Sequence, residues 1–178
     1  MRNLDQRNQI IEYSLKLNST NLSPLRSGNI SLRATEDSKY GYLITPSGKK
    51  YETLKPEDIV FMDINEEEEK NKPGNKPSSE WRFHRDIYIE KKDAQAIVHA
   101  HSSHATAVSS HGKSIPPFHY MIALAGGDDI KCAEYATFGT EELSKNVIKA
   151  LENRSACLMS NHGQVAFGKN LEDAFELA

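Results

Sequence analysis

The hydrophobic period changes along this chain, and that change restricts the possible folds more than any other feature. Residues 4–17 place Leu4, Ile10, Ile11, Leu15 and Leu17 at roughly helical spacing, which predicts an amphipathic first helix. After a turn-rich stretch containing Pro24 and Gly28, the period becomes two. Ile30 and Leu32 alternate with Ser31 and Arg33, the pattern of a half-buried strand. TEDSKYG is a polar turn and GYLIT a second strand, so the pair predicts a hairpin. A turn at Pro46-Ser47-Gly48, a short helical turn over ETLKPED and a third strand, IVFMDI, follow. The acidic run at 66–69 opens EEEEKNKPGNKP, a surface loop by composition whose charges are solvated.

Beyond that loop, helices and strands alternate. The pattern predicts a helix over 79–91, strand AIVHAH, a short helix Ser102–Ser110, loop IPPFHY, apolar YMIALAG and strand IKCAEY. Thr140 caps a helix, EELSKNVIKALEN, with two acids at its positive end. Strand ACLMS, turn NHGQ, strand VAFG and a last helix opened by Asn170 complete the chain. Early hairpin strands followed by this alternation predict one α/β layered domain over residues 1–178, with a mixed, largely antiparallel sheet.

Size and charge narrow the function. A chain of 178 residues buries a core without disulfides or structural metals. With 22 Lys+Arg against 25 Asp+Glu, it offers no basic field for nucleic acid. No apolar run approaches the ~20 residues that span a bilayer. The first residues, MRNLDQRNQIIEYS, lack the apolar stretch of a secretory signal, and Cys132 and Cys157 stand in no metal or redox spacing. A cytoplasmic protein that binds neither nucleic acid nor membrane is expected.

The histidines depart from the average. Four of the seven, His99, His101, His104 and His111, fall between residues 99 and 111. On a strand, residues i and i+2 share a face, so His99 and His101 can offer two imidazoles to one ion. A catalytic zinc usually takes three protein ligands, and His162, in the Asn161-His162-Gly163 turn, is the candidate third. By spacing alone, the pair fits two ordinary histidines equally well. Ser78, Ser79 and Glu80 precede a helix. They read either as cap residues with a first-turn acid or as an anion site beside a general acid/base. Ser27-Gly28-Asn29 and Thr45-Pro46-Ser47-Gly48 read either as plain turns or, together, as a phosphate-binding nest.

Taken in order, SGNIS, LITPSG, KPSSEWRFH, IVHAHSSHATA, IPPFHYMIALAGG, YATFGTEEL and NHG resemble the class II (zinc-dependent) aldolase/adducin family, from about residue 5 onward. The resemblance implies an α/β domain with a central antiparallel sheet flanked by helices, assembled as a homotetramer with sites at subunit interfaces. It assigns His99, His101 and His162 to one Zn2+ per subunit, and Glu80 as the acid/base that also ligates the ion before substrate enters. Gly28, Asn29, Ser47, Gly48, Ser78 and Ser79 match the substrate-phosphate site. Tyr120 matches a tyrosine that positions the aldehyde from a neighbouring subunit, and Phe138 a residue lining the aldehyde pocket.

The activity so implied is reversible cleavage of a ketose 1-phosphate, L-fuculose 1-phosphate-like, to dihydroxyacetone phosphate and an aldehyde such as L-lactaldehyde. A 5-deoxyribulose or methylthioribulose 1-phosphate aldolase or dehydratase would carry the same zinc and phosphate parts. A sugar-phosphate 4-epimerase characteristically has aspartate where Glu80 stands, and an adducin-type scaffold lacks the histidines. Two departures from the family are visible. SPLR stands where its sugar-phosphate aldolases have small residues and glycine, so Arg26 either adds a phosphate contact or alters substrate choice. The family's C-terminal tail, which folds over the site, is absent, which predicts slow turnover.

Three further expectations concern single residues. Apolar Trp81 and Phe83 should raise the pKa of Glu80. His84, one turn after Glu80, is read as a supporting residue. His104, His111 and His119 are expected outside the metal site, and Cys132 and Cys157 to be buried as small hydrophobes.

Overall fold

The computed structural model describes residues 1–65 and 75–178; the acidic run at 66–69 lies outside them. The strands are β1 (Asn29–Glu36), β2 (Lys39–Ile44), β3 (Val60–Asp63), β4 (Ala96–Ala100), β5 (Cys132–Ala133), β6 (Ala156–Met159) and β7 (Gly163–Gly168). The helices are α1 (Leu4–Ser19), α2 (Trp81–Glu90), α3 (Ser103–Ser109), α4 (Glu141–Ala150) and α5 (Leu171–Leu177). Among the described residues the seven strands form one sheet, in the order β3-β2-β1-β4-β7-β6-β5. Every pair is antiparallel except β5–β6, whose parallel connection runs through α4, as parallel neighbours require.

The predicted hairpin is β1–β2, with Glu36 opposite Lys39. Its two turn residues, Asp37 and Ser38, have φ of 50° and 61°, the backbone twist that suits a two-residue hairpin. Thr140 and Asn170 cap α4 and α5 as expected: their side chains accept hydrogen bonds from the N–H groups of Leu143 and Asp173.

Helices cover both faces of the sheet. On one face Tyr42, Ile44, Met62 and Ile97 pack with Trp81, Phe83 and Ile87 of α2 and Val147 of α4. On the other, Ile30, Leu32, Leu43 and Val98 pack with Ile10 and Leu17 of α1 and Leu171 of α5. This corrects the reading of β1 as half-buried. Ser31 and Arg33 alternate with the apolar residues but are buried as well, because α2 lies over them. The Arg33 guanidinium donates there to the carbonyls of Ala94, Tyr88 and Lys91, which offsets the cost of removing it from water.

Three other elements differ from expectation. YMIALAG forms a 3-10 turn, Tyr120–Ala125. The strand read at IKCAEY shrinks to Cys132–Ala133, which pair only with Leu158 and Met159. The helix expected from residue 79 begins at Trp81 with Glu80 in the N-cap position. Cys157 is buried and Cys132 half-buried, both as free thiols.

Candidate active site

The sheet register builds the centre. Asn29 at the start of β1 is the direct partner of His99 at the end of β4, so their side chains emerge side by side on the face covered by α2. His101 follows two residues on, and His162 sits in the β6–β7 turn, after Asn161 in the left-handed region at φ 53°. The three imidazoles stand edge to face, with ring centroids 4.7–4.9 Å apart. Phe83 of α2 presses edge-on against His99 at 5.5 Å.

Glu80 closes the cluster. Its Oε2 lies 3.2 Å from His99 Nε2, and its Oε1 lies 3.1 Å from His162 Nε2. One ligand atom from each of Glu80, His99, His101 and His162 lies within 4.8 Å of the others. His99 Nδ1 is 2.8 Å from the Gln164 carbonyl, which can only accept, so Nδ1 is spent as a donor and Nε2 is the atom turned toward the centre. That atom is 2.8 Å from His101 Nε2. Glu80 Oε1 is buried and, among the described residues, has no hydrogen-bond partner of acceptable angle. Converging lone pairs and an orphaned carboxylate oxygen fit a divalent cation, and His/carboxylate sets of this kind suit zinc and its neighbours.

The charge states follow from burial and from these neighbours. Burial pushes His101 down to about 3, reinforced by His99 and His162, so its imidazole is neutral and free to ligate. For Glu80 the expected rise does not occur. Burial does push its carboxyl up, but attraction to His99 and the contacts of His162 hold it well below the usual carboxylate range.

The cap reading of the serines is corrected too. Ser78 Oγ accepts from the N–H of Glu80 at 3.3 Å and does not cap α2, while the Glu80 side chain turns inward and makes no cap bond. The open start of α2 faces a cavity of about 220 Å³ lined by Arg26, Gly28, Asn29, Ser47, Gly48, Ser78, Ser79 and Glu80, among others. All six residues matched to a phosphate site thus line one cavity, next to the cluster. Gly28 is held between strands. A Cβ there would lie 2.5 Å from the His99 carbonyl oxygen, and Tyr51 Oη donates to the Gly28 carbonyl at 2.5 Å. Gly48 has φ +76° and open space around it, so its bare backbone faces the cavity.

A second cavity, of about 300 Å³, is lined by Glu80, His101, His162 and Phe138. Tyr120 does not line it: it is 80% exposed, in a segment where Phe118, Met121 and Leu124 are exposed as well. His104 and His119 line a separate apolar cavity, and His111 is exposed.

Beneath the cluster lies His84, read from its spacing to Glu80 as a supporting residue, together with Ser31 and Tyr88, which sequence reasoning did not single out. His84 is fully buried, with Nε2 2.5 Å from Asn29 Oδ1 and Nδ1 2.7 Å from Ser31 Oγ. Ser31 Oγ is 2.9 Å from Tyr88 Oη, and Asn29 Nδ2 donates to Glu80 Oε2 at 2.8 Å. Burial pushes His84 down to about 3, so it is neutral. Tyr88 continues the helical spacing of Glu80 and His84, a signal that could have found it, whereas nothing local marks Ser31.

A sheet of this topology, with three histidines gathered at its central strand ends and an acid at the head of α2, is the architecture of a class II aldolase, a metal-dependent enzyme. Residues 8–178 match the model of the Class II Aldolase and Adducin N-terminal domain, and the chain belongs to that family. It is 49% identical over 170 residues to L-fuculose phosphate aldolase of Escherichia coli K12, covering 96% of this chain and 76% of that protein. It is 46% identical over 172 residues to a 5-methylthioribulose-1-phosphate/5-deoxyribulose-1-phosphate aldolase of Rhodospirillum rubrum, covering 97% and 75%. Among solved structures, an L-fuculose 1-phosphate aldolase superposes with a TM-score of 0.89 at 41% identity, covering 99% of this chain and 81% of that one.

Proposed function

We propose that this aldolase is zinc-dependent and reversibly cleaves a ketose 1-phosphate, L-fuculose 1-phosphate-like, to dihydroxyacetone phosphate and an aldehyde such as L-lactaldehyde. The observation that carries the reading is the adjacency of the His99–His101–His162–Glu80 cluster to a cavity built like an anion site. The phosphate sits against Gly28, Asn29, Ser47, Gly48, Ser78 and Ser79, where hydroxyls, an amide and the positive end of α2 meet it. That grip places the C3–C4 bond beside the cluster and supplies orientation.

His99, His101 and His162 hold one zinc ion per chain. When bound, the ion supplies Lewis acidity that stabilises the charge left on the dihydroxyacetone phosphate half. The C3–C4 bond breaks as the C4 hydroxyl gives its proton to Glu80, and the aldehyde leaves. Glu80 carries the proton that the remaining half takes up at C3. Phe138 packs against the aldehyde. Tyr120, exposed on its own chain, reaches the site of a neighbouring subunit in a homotetramer. Phe118, Met121 and Leu124, exposed in the same segment, are the kind of apolar residues that such an assembly covers. The setting is cytoplasmic.

The similarity to the Rhodospirillum rubrum protein supports a second reading, with 5-deoxyribulose or 5-methylthioribulose 1-phosphate as substrate and the same zinc and phosphate parts. Purified protein assayed on a panel of ketose 1-phosphates, with and without zinc, decides between them by kcat/KM. Full activity in protein stripped of metal rules out both.

A further inference from the structure

The polar chain beneath the cluster has one consistent direction. Asn29 Nδ2 donates to Glu80 Oε2, which leaves the other end of the amide, Oδ1, turned toward His84. His84 Nε2 then carries the ring proton and donates to Oδ1, which leaves His84 Nδ1 as an acceptor. Ser31 Oγ must therefore donate to Nδ1, and Tyr88 Oη in turn donates to Ser31 Oγ. Each of these residues is essentially buried, Ser31, His84 and Tyr88 completely, so no solvent competes for the bonds. In such a setting, reversing one bond leaves a buried donor or acceptor unpaired.

The result is an asymmetric carboxylate. Oε2 is tied to the chain through Asn29, whereas Oε1 is buried, accepts no hydrogen bond among the described residues and lies 3.1 Å from His162 Nε2. We propose that His84, oriented by Ser31 and Tyr88, is a positioning residue that locks the Asn29 amide and thereby fixes Glu80 with Oε1 as its reactive oxygen. The proposal rests on the reading of Glu80 as the acid/base. His84 touches neither the substrate cavity nor the histidine cluster, so its effect passes through Asn29 and Glu80. Phe83, stacked on the His84 ring with centroids 4.7 Å apart, keeps the imidazole in plane.

The test compares His84→Phe, His84→Gln and Ser31→Ala in the full chain, each alone and in a Glu80→Gln background. Readouts are kcat, KM for one ketose 1-phosphate, metal content and melting temperature. His84→Phe is expected to lower kcat by about 10–100-fold, as loss of a group that orients a site residue does. KM should stay within about 3-fold and metal content should not change, because the other phosphate-lining groups and the histidines are untouched. His84→Gln keeps an N–H donor and should recover most of the rate. Ser31→Ala, nearly neutral in volume, should move kcat in the same direction if His84→Phe folds poorly. In the Glu80→Gln background the His84 and Ser31 changes should add less than about 2-fold, since they act through Glu80. Unchanged kcat in both His84→Phe and Ser31→Ala overturns the proposal, as does a full additional loss in the Glu80→Gln background. Parental turnover in Glu80→Gln alone overturns the acid/base reading itself, and that single variant separates the two failures.

Discussion

Asn29 and His99 face each other across the β1–β4 ladder. The cavity proposed for phosphate and the cluster proposed for metal are therefore two ends of one hydrogen-bonded pair of strands. Gly28, one residue earlier, backs onto the His99 carbonyl. Neither site can shift without the other, and this coupling frames the expected behaviour of variants.

The cluster is expected to hold one zinc ion per chain. Elemental analysis of protein purified without chelators should find close to one equivalent, and His101→Ala should lose it, because removing one of three ligands opens the cradle. Chelation should abolish turnover and added zinc restore it.

Glu80→Gln should lower kcat by about 10²–10⁴-fold, the usual range for an acid/base residue, while phosphate binding stays nearly intact. Steady-state kinetics and competition by inorganic phosphate separate the two effects. A variant within a few-fold of the parent would assign the proton to another group.

Gly28→Ala drives a methyl group to 2.5 Å from the His99 carbonyl oxygen and 2.6 Å from Ser23 Oγ. Overpacking of this kind costs about 1–3 kcal/mol, read as a lower urea midpoint. It should also raise KM, since the same backbone lines the anion cavity. Loss of stability with unchanged KM would separate Gly28 from the substrate.

Buried neutral histidines set the acid response of the metal-free protein. His84 and His101 fall from an ordinary 6.5 to about 3 in the fold. Between those values the unfolded chain binds more protons, so stability is complete above about 6.5 and is lost progressively as pH falls toward 3. Urea midpoints across this range should decline, and His84→Gln should make the decline shallower. An unaltered slope would mean that His84 is not held neutral.

Assembly is the last of these expectations, and it follows from the exposure of Tyr120. Sedimentation should show a tetramer, and Tyr120→Phe should lower kcat without loss of metal. A stable, active monomer would remove the shared site.

How much of this was readable beforehand depended on how local each signal was. His99 and His101 share a centre because a strand has period two, a fact carried by three consecutive residues. Thr140 and Asn170 announce their helices for the same local reason. The direction of the Glu80 shift was not local. Trp81 and Phe83 are its sequence neighbours, but His99 and His162 face its oxygens, and they arrive from β4 and the β6–β7 turn. Ser31 was hidden differently. Its alternation with Ile30 and Leu32 looks like a solvent face until α2, some fifty residues later, closes over it. Tyr120 shows the limit of one chain: its motif marks it, yet it stands exposed, away from the cavities its motif suggests.

The bare start of α2 has a further cost. Thr140 and Asn170 each satisfy an N–H at the head of their helices, whereas Glu80 occupies the same kind of position and turns its side chain elsewhere. A serine at position 80 would restore a cap, typically about 0.5–2 kcal/mol, but it would leave the buried Asn29 amide without the carboxylate it donates to. A Glu80→Ser protein is therefore expected to be inert and to gain nothing in melting temperature. The first turn of α2 stays unfinished because the side chain that could finish it is committed to the site.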